Sequence, residues 1–536
     1  MATIASLLRD HVTLSIRSID RLFLHAYCPR LQTEGQIVRF LLDRGYPIPS
    51  PAALGKIGRQ LVTDIEQFVA RHSIPVVRFG KKDSKEKAAA PYLERARAEG
   101  RDGVVLVGIA QEKADAWKGW KTRGGTPAHP HFCFRRQAVF VNHYYFYIVD
   151  PDFGPCFFKL CTYAPFSVWI WCNGNEWAKQ HADRAGIPYV AMDNGFASCS
   201  DPRALQRICD RLGAGAIRTL CERWLRQLPS PFTAADRKAG YWYEVAFRQV
   251  ECSDTRVFER PAQGRAWFEA CIREHLDLGR PDNVSLIFSR RITRRTPGRF
   301  ATRVITRGVE PWIQIHYRAS KLKQYFKANK ALRTEATIND TRDFAIGRRV
   351  RRDNFEAIKR AGFAATRRLI DLEVSSVACA PDADTLTRVV LPSQCDGLPA
   401  PALRFGDPRV VALLAAVACS AHVPAGFTNA SLRPLVEDFL GRAYSARQMT
   451  YDLRRLRRKG FIVRTEGTHT YALTPEGRSL SMFFTKIYTR VVTPALSYLD
   501  PSLPADVLSS SRLGRAWAAF DRAIDDVVMT SGMIAA

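Results

Sequence analysis

Acidic residues are scarce beside basic ones. The chain has 52 Asp and Glu against 80 Lys and Arg, a formal net charge of +28 at pH 7. An imbalance of that size speaks of partners, not of fold, and nucleic acid is the partner it fits first, ahead of an anionic membrane surface. Long apolar runs are also missing. Runs such as Val410–Ala421 fall short of the ~20 residues a spanning helix needs, so no membrane partner is expected. The 13 cysteines are odd in number and contain no Cys-x-x-Cys pair, which argues against a secreted disulfide framework. The nearest pair, Cys156 and Cys161, reads as strand packing and not as zinc ligands. Met1–Ser18 lacks a signal-peptide core, since Arg9, Asp10 and His11 interrupt it, and a cytoplasmic location is expected. Neither an internal repeat nor a low-complexity tract is visible.

What is present is the balance of a globular protein, 46% apolar and 25% charged. A chain of 536 residues has room for about three domains. The expected class is α+β multidomain. Residues 1–75 read as a helical segment, with apolar residues at helical spacing in Ile37–Leu42 and Ile57–Ala70 and a break at Pro47–Pro51. Residues 76–230 read as an α/β domain with an aromatic-rich mixed sheet and a candidate catalytic core. Its strands are Gly103–Ile109, a continuous apolar run suited to burial, then Ala138–Val149, Phe157–Tyr163, Ser167–Cys172 and Tyr189–Met192. Residues 236–375 read as a basic α+β domain around a hairpin of Val284–Arg291 with Phe300–Thr306. Residues 376–404, with Pro381, Pro392, Pro399 and Pro401, read as a linker. Residues 405–500 form a third domain and 501–536 a helical tail.

The third domain has the most specific pattern. Asp407 caps a first helix with Pro408 at its first position. A second helix, Ser431–Leu440, stops at Gly441. Ser445 caps a third, and Gln448 completes a capping box. In that third helix Met449, Leu453 and Leu456 share one face, and arginines take the others. Phe461–Arg464 and Thr470–Thr474 then pair around Thr465–His469. Helix, helix, helix, hairpin is the winged-helix order. The phrases Tyr451-Asp452-Leu453-Arg454-Arg455-Leu456-Arg457-Arg458-Lys459-Gly460 and Leu473-Thr474-Pro475-Glu476-Gly477 strongly resemble winged-helix DNA-binding domains of bacterial regulators. The resemblance implies that the third helix enters the major groove. Arg447, Thr450, Arg454 and Arg457 would be its contacts, with His469 at the wing tip. A winged helix used for protein contacts is the alternative.

The middle of the chain is rich in arginine. Residues 285–370 hold 22 Lys and Arg against 6 Asp and Glu. Arg299, Arg303 and Arg307 fall on one face of a strand, because side chains alternate. Arg290, Arg291, Arg294 and Arg295 extend the patch, Lys321 and Lys323 follow, and Arg348, Arg349, Arg351 and Arg352 form a second cluster. Such a surface suits phosphates.

Three constellations are candidates for chemistry. Glu112, Asp150, Asp152, Glu176 and Asp193 lie at or near strand ends, where clustered carboxylates could hold Mg²⁺ or Mn²⁺ for phosphodiester cleavage. Glu112, Asp150 and Asp152 would be the metal ligands, and the alternative is turn and cap residues. Second, His129-Pro130-His131 before a strand and Tyr317 four residues before Lys321 outline the histidine pair and nucleophilic tyrosine of rolling-circle initiators and relaxases. The segment His316–Glu335 is similar to plasmid and phage replication initiators. The proline between the two histidines departs from that pattern. Third, Gln111-Glu112-Lys113, Asn142-His143 and Asn173–Trp177 interrupt aromatic strands, as a pocket or as a satisfied polar network. Residues 75–200 and 280–345 also resemble a widespread family of long bacterial proteins through Gly108–Ala114 and Asn142–Tyr147, which brings no activity with it.

The expectation is a nucleic-acid-binding protein, duplex DNA favoured, that processes DNA for a bacterial mobile element or plasmid by cleavage, replication initiation or recombination. The rivals are a non-enzymatic transcriptional regulator and an RNA-binding component of a ribonucleoprotein.

Overall fold

A computed structural model describes residues 11–262 apart from 124 and 127–129, residues 297–377 apart from 308, 309 and 329, and residues 381–487 apart from 396, 397, 405, 406, 421–426 and 466. A few single positions between 264 and 268 and between 515 and 526 complete the set. The chain divides into two compact units that meet in sequence at Ile370 and Asp371.

The elements of the first unit, in chain order, are β1 (Val12–Tyr27), α1 (Glu34–Asp43), α2 (Pro51–Arg71), β2 (Val76–Phe79), α3 (Lys85–Ala98), β3 (Gly103–Lys121), β4 (Phe132–Asp150), β5 (Gly154–Cys161), β6 (Val168–Asn173), α4 (Gly174–Arg184), β7 (Tyr189–Met192), β8 (Gly195–Cys199), α5 (Pro202–Arg211), α6 (Ala214–Gln227), α7 (Ala234–Lys238), β9 (Glu244–Phe258), β10 (Arg299–Arg307), β11 (Glu310–Arg318), β12 (Ser320–Lys327), β13 (Ala331–Ile338) and α8 (Arg352–Val377). Eleven of the strands make one sheet in the order β10-β11-β12-β13-β9-β1-β6-β5-β4-β3-β2. Neighbours are antiparallel except β2 and β3, which run parallel.

The chain follows one path twice. From β1 it passes through helices into the meander β3–β6, whose last strand returns to pair with β1 and leads into α4. From β9 it passes into the meander β10–β13, whose last strand returns to pair with β9 and is followed by α8. β1 and β9 pair antiparallel with Ser18 opposite Ser253, and the two paths meet at that seam. The topology repeats although the residues do not.

Two expectations are corrected. Residues 1–75 are not wholly helical, because β1 is a central strand. Residues 76–230 and 236–375 are not separate domains, because β1, β6 and β9 join them in one sheet. On its described side β10 pairs with β11, Arg299 opposite Arg318, and the expected partner strand Val284–Arg291 lies outside the described residues.

The two faces of the sheet differ. On one, Phe68 of α2 packs edge-on to Phe146 at 6.2 Å, and Phe355 of α8 stacks on Phe247 at 5.4 Å. Gly362 lets α8 approach β9 closely; a Cβ there would lie 2.4 Å from Cys252 Sγ. Strands β5, β6, β11 and β12 bury every second side chain on this face and leave the alternate ones half-buried on the other. Period-two alternation of this kind is what a sheet covered on one side produces.

The second unit contains α9 (Ala383–Val390), β14 (Ser393–Cys395), β15 (Leu398–Ala400), α10 (Pro408–Ser420), α11 (Asn429–Leu440), α12 (Ala446–Arg458), β16 (Ile462–Arg464), β17 (Tyr471–Leu473) and α13 (Pro475–Ile487). Its core joins Leu413, Val417, Leu432, Val436, Met449, Leu453, Leu456, Phe461 and Leu480. Val389 and Leu403 belong to the same core, so residues 376–404 are not a free linker. The caps follow from sequence: Ser445 and Gln448 form the capping box of α12, and Gly441 ends α11 at φ 68°. Among the described residues no helix is long and apolar enough to cross a membrane.

Candidate nucleic-acid interfaces

α12 is held from below and bare above. Met449, Leu453 and Leu456 are buried. Asp452 is buried with them at 1% exposure and fixes the helix, because Arg409 Nε donates to it at 2.8 Å and the Tyr444 hydroxyl also donates to it. Three cations of this stretch serve the fold. Arg455 donates to the Pro401 carbonyl at 3.1 Å, Arg458 to the Pro399 carbonyl at 2.8 Å, and Lys459 to the Leu391 carbonyl at 3.0 Å. Burial lowers the Lys459 pKa, and Arg455 and Arg388 lower it further. The other three, Arg447, Arg454 and Arg457, are exposed and have no ion pair or hydrogen bond among the described residues. They form one stripe with Thr450 and Tyr451, at the three- and four-residue spacing that puts side chains on a single helix face. Tyr451 is 49% exposed. Beside the stripe, Arg464 of β16 donates to the Thr468 carbonyl at 2.6 Å and meets His469 Nδ1 at 3.1 Å, which ties the hairpin turn.

In the first unit, the register places Arg299, Arg303 and Arg307 at every fourth position of β10, opposite Arg318, Gln314 and Glu310. Arg299 is exposed. Arg318, Lys321 and Lys323 continue the half-buried face across β11 and β12, with Lys323 Nζ 4.3 Å from the Tyr325 ring and 5.1 Å from the Trp312 ring. Arg351 and Arg352 are exposed, whereas Arg348 pairs with Asp340 and Arg349 with Glu244, each at 2.9 Å. Arg290, Arg291, Arg294 and Arg295 lie outside the described residues.

The proposed carboxylates do not converge. Glu112 faces Val141 in the β3–β4 register, nine residues from Asp150, or about 30 Å at ~3.3 Å per residue. Glu112 is bound by Lys85, Lys159 and the Tyr145 hydroxyl. Burial opposes its ionisation, but those three donors outweigh burial and hold its pKa at about 2. Asp150 is a buried turn residue. It accepts from the Asp152 and Phe153 amides at 2.9 Å, from Arg223 at 2.6 Å and from Trp224 Nε1 at 2.8 Å. Asp152 is paired with Arg184 and Arg223, each at 2.8 Å. Glu176 is paired with Lys179 at 2.6 Å, and Asp193 is 92% exposed. Carboxylates already neutralised by internal cations do not fit a Mg²⁺ or Mn²⁺ site, and no three His, Cys, Asp or Glu side chains group as ligands among the described residues.

The tyrosine constellation is not assembled either. Tyr317 on β11 is 2% exposed and packs against Phe344. His131 precedes β4, seven strands across the sheet from β11, roughly 34 Å at ~4.8 Å per strand, and His129 lies outside the described residues.

No family model, curated protein or solved structure matches the chain.

Sequence reasoning missed the charged centre of the first unit. Arg333 of β13 is fully buried and ion-pairs with Asp20 of β1. It also donates to Glu335 at 2.7 Å and to the Asn194 carbonyl at 2.6 Å. Asn173 and Asn175 each donate to Asn194 Oδ1 at 3.0 Å, and Ser18 donates to Asn175 at 2.8 Å. Asn173, Asn175 and Asn194 thus form a satisfied network, to which Asn142 and His143 do not belong. The signal was legible in Ala331–Ile338, where Arg333 and Glu335 sit two apart in an otherwise uncharged strand.

Proposed function

We propose that this chain is a nucleic-acid-binding protein whose C-terminal unit is a winged helix for duplex DNA, with the cationic outer strands of the sheet adding phosphate contacts. One observation carries the reading: along α12, the cations that could be satisfied internally are, and Arg447, Arg454 and Arg457 are left on the outward stripe. A helix of this kind presents guanidiniums to base edges and phosphates at once. The excess of basic over acidic residues supports the same partner. A place in DNA processing for a mobile element rests here on binding alone, since the candidate carboxylates and Tyr317 support no cleavage step.

The test replaces Arg447, Arg454 and Arg457 with alanine and measures duplex affinity against salt. Each lost phosphate contact makes the salt dependence shallower by about one log unit per log unit, and loss of a base contact costs ~1–3 kcal/mol. Unchanged affinity and slope in a folded triple variant would overturn the reading.

A further inference from the structure

The half-buried face of the sheet carries an aromatic strip that the duplex reading leaves unexplained. Phe23, His25 and Tyr27 of β1, Trp169 and Trp171 of β6, and Phe157 of β5 all lie on it, half-buried. The register sets His25 opposite Trp169 and Phe23 opposite Trp171, and then Trp171 opposite Phe157. His25 stacks on Trp169 with ring centroids 5.1 Å apart and planes at 17°, and Phe157 stacks on Trp171 at 5.9 Å and 7°. Cations border the rings. Lys159 Nζ, paired with Glu112, lies 5.5 Å from the Trp169 ring, while Arg21 of β1, 3.9 Å from Glu251, and Arg248 of the neighbouring β9 are exposed. Two carboxylates adjoin the strip: Glu112 is paired with Lys85 and Lys159, and Glu244 accepts from the Tyr27 hydroxyl at 3.3 Å and is paired with Arg349 at 2.9 Å. Beneath the strip His143 is 1% exposed, edge-on to Trp169 at 6.0 Å. The Val141 backbone lies alongside, yet neither ring nitrogen completes a hydrogen bond of normal geometry. Buried polar groups left in this state call for an explanation.

We infer that this strip is a stacking platform for an unpaired DNA strand. Flat rings paired across neighbouring strands suit bases whose faces are free, and the bordering arginines suit the backbone between them. A duplex offers no free base face, and an apolar peptide would gain nothing from the bordering cations. The choice of DNA rests on the reading of α12: an unpaired strand would belong to the same partner that the C-terminal unit holds as duplex.

The experiment uses the full chain and a labelled oligothymidylate of about 16 nucleotides, with an abasic strand of equal length and the RNA counterpart beside it. Trp169→Leu and Trp171→Leu each weaken binding roughly tenfold, the size of one lost base stack. Phe157→Leu and Arg248→Gln do so more mildly and serve if either tryptophan change unfolds the protein. The abasic strand, which loses every stack, binds wild type more weakly than the intact strand binds either single variant. Equal binding of intact and abasic strands, or RNA held tenfold more tightly than DNA, would overturn the inference. The Arg447, Arg454 and Arg457 triple variant separates the two readings. If it keeps duplex affinity, the α12 reading fails; if single-strand binding is then still lost in the tryptophan variants, the platform stands.

Discussion

Arg333 sets the residue scale. A guanidinium sealed in a sheet is tolerable only because Asp20 and Glu335 flank it, and removing one partner of a buried pair is far costlier than the pair is stabilising. Arg333→Met leaves two carboxylates facing each other without a counter-charge. Chemical denaturation should show a loss on the order of 3–5 kcal/mol. Asp452→Ala acts alike in the C-terminal unit. It strands Arg409 and the Tyr444 hydroxyl and should lower stability by about 3 kcal/mol, while duplex affinity falls because α12 loses its seating. These residues show where sequence reading ends. The arginines of α12 were legible because helical spacing sorts them locally. The pair Asp20–Arg333 was not, because its members lie 313 positions apart.

At the scale of the element, β1 explains its own misreading. Leu14 and Ile16 alternate as a strand should, but Asp20 and Arg21 together face the single Glu251, a bulge that shifts the register between Ile19 and Leu22. The apolar spacing from Ile16 to Ile19 to Leu22 then mimics a helix. Two imidazoles of the sheet, His25 on β1 and His143 on β4, resist protons. Burial, then Arg248 and Arg136, lower His25 to about 4. Burial, then Lys159, lower His143 to about 4. Both stand against an ordinary value of 6.5. The unfolded chain therefore takes up protons that the folded one refuses. Their contribution to stability is complete above pH 6.5 and is lost as pH falls toward 4. Urea midpoints at neutral and mildly acidic pH should differ, and a His25→Phe, His143→Phe double variant should narrow that difference.

For the molecule as a whole, charge makes the prediction. If six to ten phosphates are neutralised, duplex affinity should drop by on the order of 10³–10⁵ between ~50 and ~200 mM salt, as read by fluorescence anisotropy. The mixed α+β class was legible from the alternation of apolar runs. The single sheet was not, because the pairing that unites its halves, β1 with β9, joins residues more than 200 positions apart, as Ser18 and Ser253 are. Local patterns mark strands; they do not mark partners.

That seam has a consequence for any shortened form of the protein. A chain ending before Ala331 would contain β1 and β9 but not β13, so the outer edge of β9 would be bare and Asp20 would be entombed with no cation to meet it. Exposed strand edges recruit other chains. Such truncations should sediment as aggregates, whereas removal of residues from Asp371 onward, which leaves the seam whole, should yield material that stays in solution.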